Sequence, residues 1–455
     1  MNIKILYPSD NSFKPSNIAV SSARTCYFPG GIVEPVSSQD WKSKNMLLTS
    51  IFEAGHHTTL QHAHFTILIE GMSRHLIWRL LHSHPYYNSE QVSQRYAKMK
   101  IDAFVYPAEG NKDKWEEFYT FVFGRYEQLI LLLEPIMKSV LPKFKQKESV
   151  KKAQEFARYV LPQGMSAYFY HTINLVTALR YVGAVKALPE SQMEAQEFAD
   201  KLENEILRID PDLKPLFDFA KKEKVIFPSM DMMNLKESKR FGNSNVEVFD
   251  ICDSFDFEAN ENYSSVLRFS QLFEDGGVLG GFSSYMKISL AADAQNQRHR
   301  RSFATRGKLE NNYKKEYYIP PIIAKNRDVL NLYTDTIEKI YKFFDDQKAK
   351  LGFGESVYAL PNAHLIEIIE RNDFSSFHHK AQMRLCYNAQ QEIFDAVYGQ
   401  VEQLRLKNIK NSDKFLPPCS IRGAAGCFPI CPEGSRYCGE KVWKKEFDKI
   451  KIREI

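Results

Sequence analysis

The 455-residue chain repeats itself with a period of about half its length. Arg158-Tyr159-Val160-Leu161-Pro162 in the front half is echoed by Val357-Tyr358-Ala359-Leu360-Pro361 in the back half. Tyr106-Pro107 has its counterpart in Tyr317 to Pro321. In each half a strand and helix are followed by a second strand and helix, a basic or His-rich loop, and then long helices. A unit that recurs in this way must fold as two copies of one architecture. The pattern therefore predicts an α+β protein of two tandem domains, residues 1–225 and 226–415, each a mixed sheet with long helices, and a cysteine-containing tail over 416–455. Apolar periodicity predicts helices over Trp41–Ala54, Met72–Leu81, Trp115–Met137, Ser149–Val160, Ala167–Ala184 and Ser191–Leu207. Pro211 to Phe241 reads as a linker. The back half predicts strand Val246–Ile251, helix Ser264–Phe273, a Gly-rich turn at 276–281, strand then helix over Phe282–Gln297, and helices Leu330–Lys348, Ala363–Ile369 and Phe374–Gln403.

Composition narrows the function without naming it. A net charge of +5 admits an anionic small ligand but does not call for nucleic acid. No apolar run approaches the roughly 20 residues a membrane span needs, and Met1-Asn2-Ile3-Lys4-Ile5 lacks the apolar core of a signal peptide. Seven cysteines, three of them scattered (Cys26, Cys252, Cys386), suit a reducing cytoplasm better than a disulfide framework.

The chemistry-bearing stretches are few. Gln295, Arg298, His299, Arg300 and Arg301 crowd the end of a run that reads as helix. Guanidinium forks beside an imidazole suit phosphates or an electron-rich ring, although a basic helix end is also a common solvated surface. His56, His57, His62 and His64 have no interleaved acid or thiol, so they read as strand and loop residues rather than a metal site. In the tail, Cys419, Cys427, Cys431 and Cys438 lie within twenty residues, with Pro and Gly turns between them. They suit structural zinc, or packing as free thiols.

These stretches resemble the flavin-dependent thymidylate synthases. That family has an Arg-His-Arg triplet with Gln three residues before it, then Glu-x-Ser-x-Arg-Tyr. Upstream it has Gly-His-x-Thr/Ser-x-x-Glu-His-x-x-Phe-Thr, and downstream Arg-x-Val-Leu-Pro and an Arg before Ala-Gln-x-Glu-Ile. The front half matches with Gly55 to Thr66 (Gln61 replacing Glu), Ser93-Gln94-Arg95-Tyr96, Arg158 to Pro162, and Asn174 at the family's spacing. It lacks the triplet. The back half has Gln295, Arg298-His299-Arg300, and Arg384 before Ala389-Gln390-Gln391-Glu392-Ile393; it lacks Ser-x-Arg-Tyr and carries Val357 where the front half has Arg158. The resemblance implies two thymidylate synthase-like domains forming an intramolecular pseudo-dimer. One complete nucleotide pocket would be assembled from complementary remnants, with Arg95 and Arg298 converging on one pyrimidine phosphate.

The resemblance further implies reductive methylation of dUMP to dTMP, with methylenetetrahydrofolate as carbon donor and FAD reduced by NADPH. Gln91, Ser93, Gln94, Arg95, Arg158, Gln295, Arg298 and Arg384 would bind substrate, and Arg384 would stabilise charge on the uracil ring. His56, Thr58, Asn174, Arg298, His299 and Arg300 would hold the flavin. Departures from the family occur at Gln91, where the family has Glu, and at Asp373, Ser375 and His379, where it has other late-helix residues. They leave open a second reading, a nucleotide-binding homologue without flavin chemistry. A cytoplasmic homodimer mimicking the family's homotetramer is the expected assembly.

Overall fold

The computed structural model describes residues 1–7, 14–83, 86–185, 193–222, 244–253, 279–306 and 309–453. The chain divides into two compact units that interleave along the sequence. Unit one takes residues 1–123, 161–229 and 339–360; unit two takes 124–160, 230–338 and 361–455. The units are therefore not the contiguous stretches 1–225 and 226–415 suggested by the repeat. The segment carrying Arg158 belongs with the back-half sheet, and the segment carrying Val357 with the front-half sheet.

Unit one holds a four-stranded sheet of β1 (Asn2–Leu6), β2 (His64–Ser73), β3 (Tyr87–Gln91) and β4 (Ser166–Asn174), in the order β1-β2-β4-β3. Unit two holds β5 (Val246–Cys252), β6 (Gly281–Ser289), β7 (Phe303–Arg306) and β8 (Leu365–Asp373), in the order β5-β6-β8-β7. The two orders are the same topology, which is what a duplicated α+β fold requires. Every strand pair is antiparallel, so neither sheet is mixed in direction.

Two predicted helices prove to be strands. Residues 166–174 form β4 and only Leu175–Val185 is helical; residues 365–373 form β8. Their side chains alternate between faces: Ala167 and Phe169 are buried while Tyr168 and Tyr170 are exposed. A half-buried antiparallel strand has this period of two, which a helix-length apolar window blurs. The polar loop after His82 contains β3, another strand the sequence reading missed. The expected linker begins with a helix, Lys214–Lys222. Its remainder, from residue 223, the predicted helix at 264–273 and the Gly-rich turn up to 278 lie outside the described residues.

Among the described residues the α-helices longer than four residues are α1 (Pro15–Tyr27), α2 (Lys44–Glu53), α3 (Arg74–Ser83), α4 (Lys112–Val140), α5 (Ser149–Ala157), α6 (Leu175–Val185), α7 (Met193–Ile209), α8 (Lys214–Lys222), α9 (Leu290–Asn296), α10 (Arg327–Ser356), α11 (Phe374–Arg384), α12 (Gln391–Leu406) and α13 (Pro418–Ala424). The core of unit one packs Phe65, Ile67 and Ile69 of β2 against Val176 and Leu179 of α6 and Phe198 and Leu202 of α7. Burying each such side chain is worth roughly 1.5–3 kcal/mol. Unit two repeats the plan with Phe282, Phe377, Phe394, Val397 and Val401, and adds Phe415, Val442 and Phe447 from the tail.

Two glycines are required by geometry. Gly55 (φ +76°) ends α2, where its N–H donates to Phe52 O and that of His56 to Ile51 O, the left-handed helix stop that aims His56 and Thr58 outward. Gly71 (φ +74°) is the extra residue of a bulge in β2, where the register to β4 shifts between Glu70 and Met72.

Candidate functional site

In unit two the chain brings Arg158, Gln295 and Arg384 into one hydrogen-bond network. Arg158, on a single 3₁₀ turn after α5, is 4% exposed. Its Nη2 donates to Gln390 Oε1 at 2.6 Å, and its carbonyl accepts from Asn362 Nδ2 at 2.9 Å. Gln295 Nε2 donates to the same Gln390 Oε1. Arg384, last residue of α11, donates from Nη2 to Gln295 O at 2.5 Å. Gln390 caps the start of α12, and its Nε2 donates to Tyr159 OH. Arg158 of the front half and Gln295 of the back half thus share Gln390, and Arg384 joins them through the Gln295 carbonyl.

Behind the hub stands a buried carboxylate. Glu392 accepts from Ser289 N (2.6 Å), Ser289 Oγ (2.6 Å) and Tyr159 OH (2.8 Å). Ser289 Oγ also accepts from Ala292 N, capping α9. Burial lifts the Glu392 carboxyl to about 7, although the Ser289 and Tyr159 bonds and the Arg158 charge oppose the rise. Burial and the neighbouring Glu392 charge push the Tyr159 phenol well above its ordinary range. The carboxylate ties together the end of β6, the start of α12 and the Arg158-Tyr159 turn.

The triplet divides by exposure. Helix α9 stops at Asn296, so Arg298 and His299 sit on the following turns rather than on the helical face expected from the sequence. Arg298, Arg300 and Arg301 are exposed. His299 is buried: its Nε2 meets Ser376 O at 2.8 Å, its Nδ1 meets His379 Nδ1 at 3.4 Å, and the two rings stack. Burial, then the Lys380, His379 and Arg384 charges, lower its pKa to about 2. Neutral His299 therefore donates from Nε2 to the carbonyl and accepts at Nδ1. The residue packs the triplet loop onto α11, so the expected direct role with flavin does not match its placement. Arg306 anchors the same loop from β7 through a bidentate pair with Asp293, both distances 2.7 Å, in which both side chains are buried.

The remaining candidates lie in unit one. Gln91 ends β3; Ser93 Oγ accepts from Arg95 N at 3.2 Å, Gln94 is buried, and the Arg95 guanidinium stands 5.2 Å from the Tyr96 ring. Arg95 and Arg298 thus belong to different compact units. His56 and Thr58 are exposed past Gly55. Asn174 is buried, and its Oδ1 accepts from Thr177 N (2.9 Å) and Thr177 Oγ1 (3.1 Å), so it caps α6 where a flavin contact was expected. The expected tail set of metal ligands is not gathered. Among the described residues no group of three or more His, Cys, Asp or Glu side chains has metal-site geometry. Cys427 instead turns its thiol to Ala425 O at 3.7 Å.

Comparison with known proteins then supplies the family. The Thy1 family, thymidylate synthase complementing protein, matches residues 10–212 and 280–406, one span in each repeat. The chain belongs to the Thy1 family. Among relatives, the flavin-dependent thymidylate synthase of Clostridium tetani is 28% identical over 218 residues, 47% of this chain and 85% of that protein. That of Pyrococcus abyssi is 31% identical over 194 residues, 41% and 71% respectively. The crystal structure of thymidylate synthase X from Helicobacter pylori with FAD and dUMP is 17% identical, covers 49% of this chain and 100% of that one, and has a TM-score of 0.34.

Within this Thy1 chain the two family repeats keep one scaffold and differ beside it. In unit one, Glu194 accepts from Ser73 N (2.7 Å), Ser73 Oγ (2.6 Å) and Tyr358 OH (2.9 Å), as Glu392 does from Ser289 and Tyr159. Where unit two places Arg158 before its tyrosine, unit one places Val357. Sequence reasoning did not single out Ser289, Tyr159, Gln390 and Glu392, which carry the network. The signal was present in the Ala389 to Ile393 motif and in the tyrosine following Arg158 and Val357.

Proposed function

We propose that the chain is a flavin-dependent thymidylate synthase, converting dUMP to dTMP with methylenetetrahydrofolate, FAD and NADPH, and that the pyrimidine site lies in unit two, built from residues of both sequence repeats. The observation that carries the reading is the Arg158–Gln390–Gln295–Arg384 network. The Arg158 guanidinium donates to a carboxamide and the Arg384 guanidinium to a carbonyl, and these bonds orient them. Such preorganised cations suit a nucleotide phosphate and the charge that develops on a uracil ring. Arg158 takes the phosphate role and Arg384 the ring role. Gln295 commits its N–H to Gln390, so its part is to offer Oε1 to the N–H at the pyrimidine edge. Ser93 and Arg95, which the family motif also names, lie in unit one and are not part of the site proposed in unit two.

For the flavin, exposed Arg298 and Arg300 of unit two fit a dinucleotide's phosphates by charge. Asn174 and His299 do not fit as direct contacts, because their polar atoms serve the fold. FAD, when bound, supplies the hydride chemistry. The protein's part is to hold the pyrimidine and its charge. The cytoplasmic homodimer belongs to the same reading.

A second reading has an observation behind it. At two positions where the family's late helix differs, Asp373 caps α11 by accepting from Ser376 N at 2.6 Å, and His379 stacks on His299. A homologue that binds nucleotide without flavin would have side chains committed in this way. The test is purified wild-type protein, its flavin absorbance, and dTMP formation from dUMP with added FAD, folate and NADPH. Activity that falls in Arg158→Met and Arg384→Met supports the first reading. Colourless protein that binds dUMP and makes no dTMP supports the second.

A further inference from the structure

The tail closes over a second group of reactive side chains. Cys386 lies in the turn between α11 and α12, two residues after Arg384 and four before Gln390. Cys419 is in the first turn of α13, and Cys431 and Cys438 are in the loop beyond it. These four thiols line one small cavity with Leu385, Pro417, Pro432 and Val442. All four are free and only partly exposed. Cys427 does not line the cavity.

The surroundings fix the loop against the turn. Asn388 Nδ2 donates to Glu433 Oε2 (3.2 Å) and to Arg436 O (2.8 Å). Tyr387 OH donates to Ile450 O at 2.8 Å, and Arg453 donates to Tyr387 O and Ala389 O. A dication placed among four thiols that line one cavity favours their thiolate forms.

We propose that Cys386, Cys419, Cys431 and Cys438 bind one zinc ion as a structural tetrathiolate that fixes the turn between Arg384 and Gln390. The ligand set differs from the one expected within the tail, Cys386 replacing Cys427. The thiols as placed do not form a metal site, so binding requires their rotamers to turn inward to Zn–S distances of about 2.3 Å. Four Zn–S bonds form, and four S–H protons pass to solvent. Pro417, Pro418 and Pro432 stiffen the wrapping loop.

The test uses the full chain and reads metal content, so it stands apart from the thymidylate synthase reading. The wild type, purified under reducing conditions and dialysed, should carry one zinc per chain by elemental analysis. Cys427→Ala should retain it; Cys386→Ala and Cys431→Ala should lose it. Should those two variants fail to fold, cobalt substitution of the wild type and of Cys427→Ala gives the second readout. An intense thiolate-to-cobalt charge-transfer band with tetrahedral d–d bands in both proteins supports the site. Wild type free of zinc after incubation with zinc salt, zinc lost in Cys427→Ala but kept in Cys386→Ala, or thiols paired as disulfides in the reduced preparation would overturn it.

Discussion

Glu392→Gln isolates the carboxylate behind the substrate network. Folding raises this carboxyl from its ordinary value of 4.5 to about 7, because the side chain is 5% exposed. The raised group is protonated more readily in the folded chain. Its contribution to stability is therefore complete below about pH 4.5 and is lost as pH rises through 7. At ~1.4 kcal/mol per pH unit, the span amounts to about 3 kcal/mol. Glutamine keeps the size but does not titrate. With its carbonyl oxygen kept on Ser289 N, its –NH2 stands in the place of Oε2 and cannot accept from Tyr159, a loss of about 1 kcal/mol. Urea unfolding of both proteins from pH 4.5 to 8 should show the variant slightly weaker at acid pH, then gaining about 3 kcal/mol on the wild type by pH 7.5. Other buried acids, such as Glu194 and Glu355, are present in both proteins and cancel in the difference. A difference that stays flat across the range would mean that the three donors and Arg158 keep Glu392 ionised in the fold.

Arg158→Met and Arg384→Met should each weaken dUMP binding by roughly 10- to 150-fold by calorimetry, the equivalent of one charge-assisted contact of about 1.5–3 kcal/mol; unchanged affinity would remove that arginine from the site. Arg306→Met leaves Asp293 buried without its bidentate partner and should cost about 3–5 kcal/mol. The triplet loop should then become more open to protease between Gln297 and Arg306, and wild-type resistance there would discount the anchor. Gly71→Ala forces an L-residue to φ +74° and should cost about 1–2 kcal/mol in thermal or chemical unfolding. A neutral effect would show that the bulge relaxes.

Sequence alone settled that two copies of one α+β unit exist, because duplication leaves landmarks in order at a fixed spacing. It also picked out Arg158, Gln295 and Arg384, because their motifs are short and local. It erred at β4 and β8, where alternating tyrosines and buried apolar residues filled helix-length windows. It also overvalued Asn174 and His299, since a polar residue in a motif reads the same whether it faces a ligand or caps a helix. Tertiary structure decided the exchange that puts Arg158 in the back-half unit and Val357 in the front-half unit. It also decided that Gln390 joins Arg158 to Gln295, and that Cys386 rather than Cys427 lines a cavity with the tail's other thiols. These facts depend on which backbone segments pack together. Spacing along the chain carries no record of that once the contacts join segments distant in sequence.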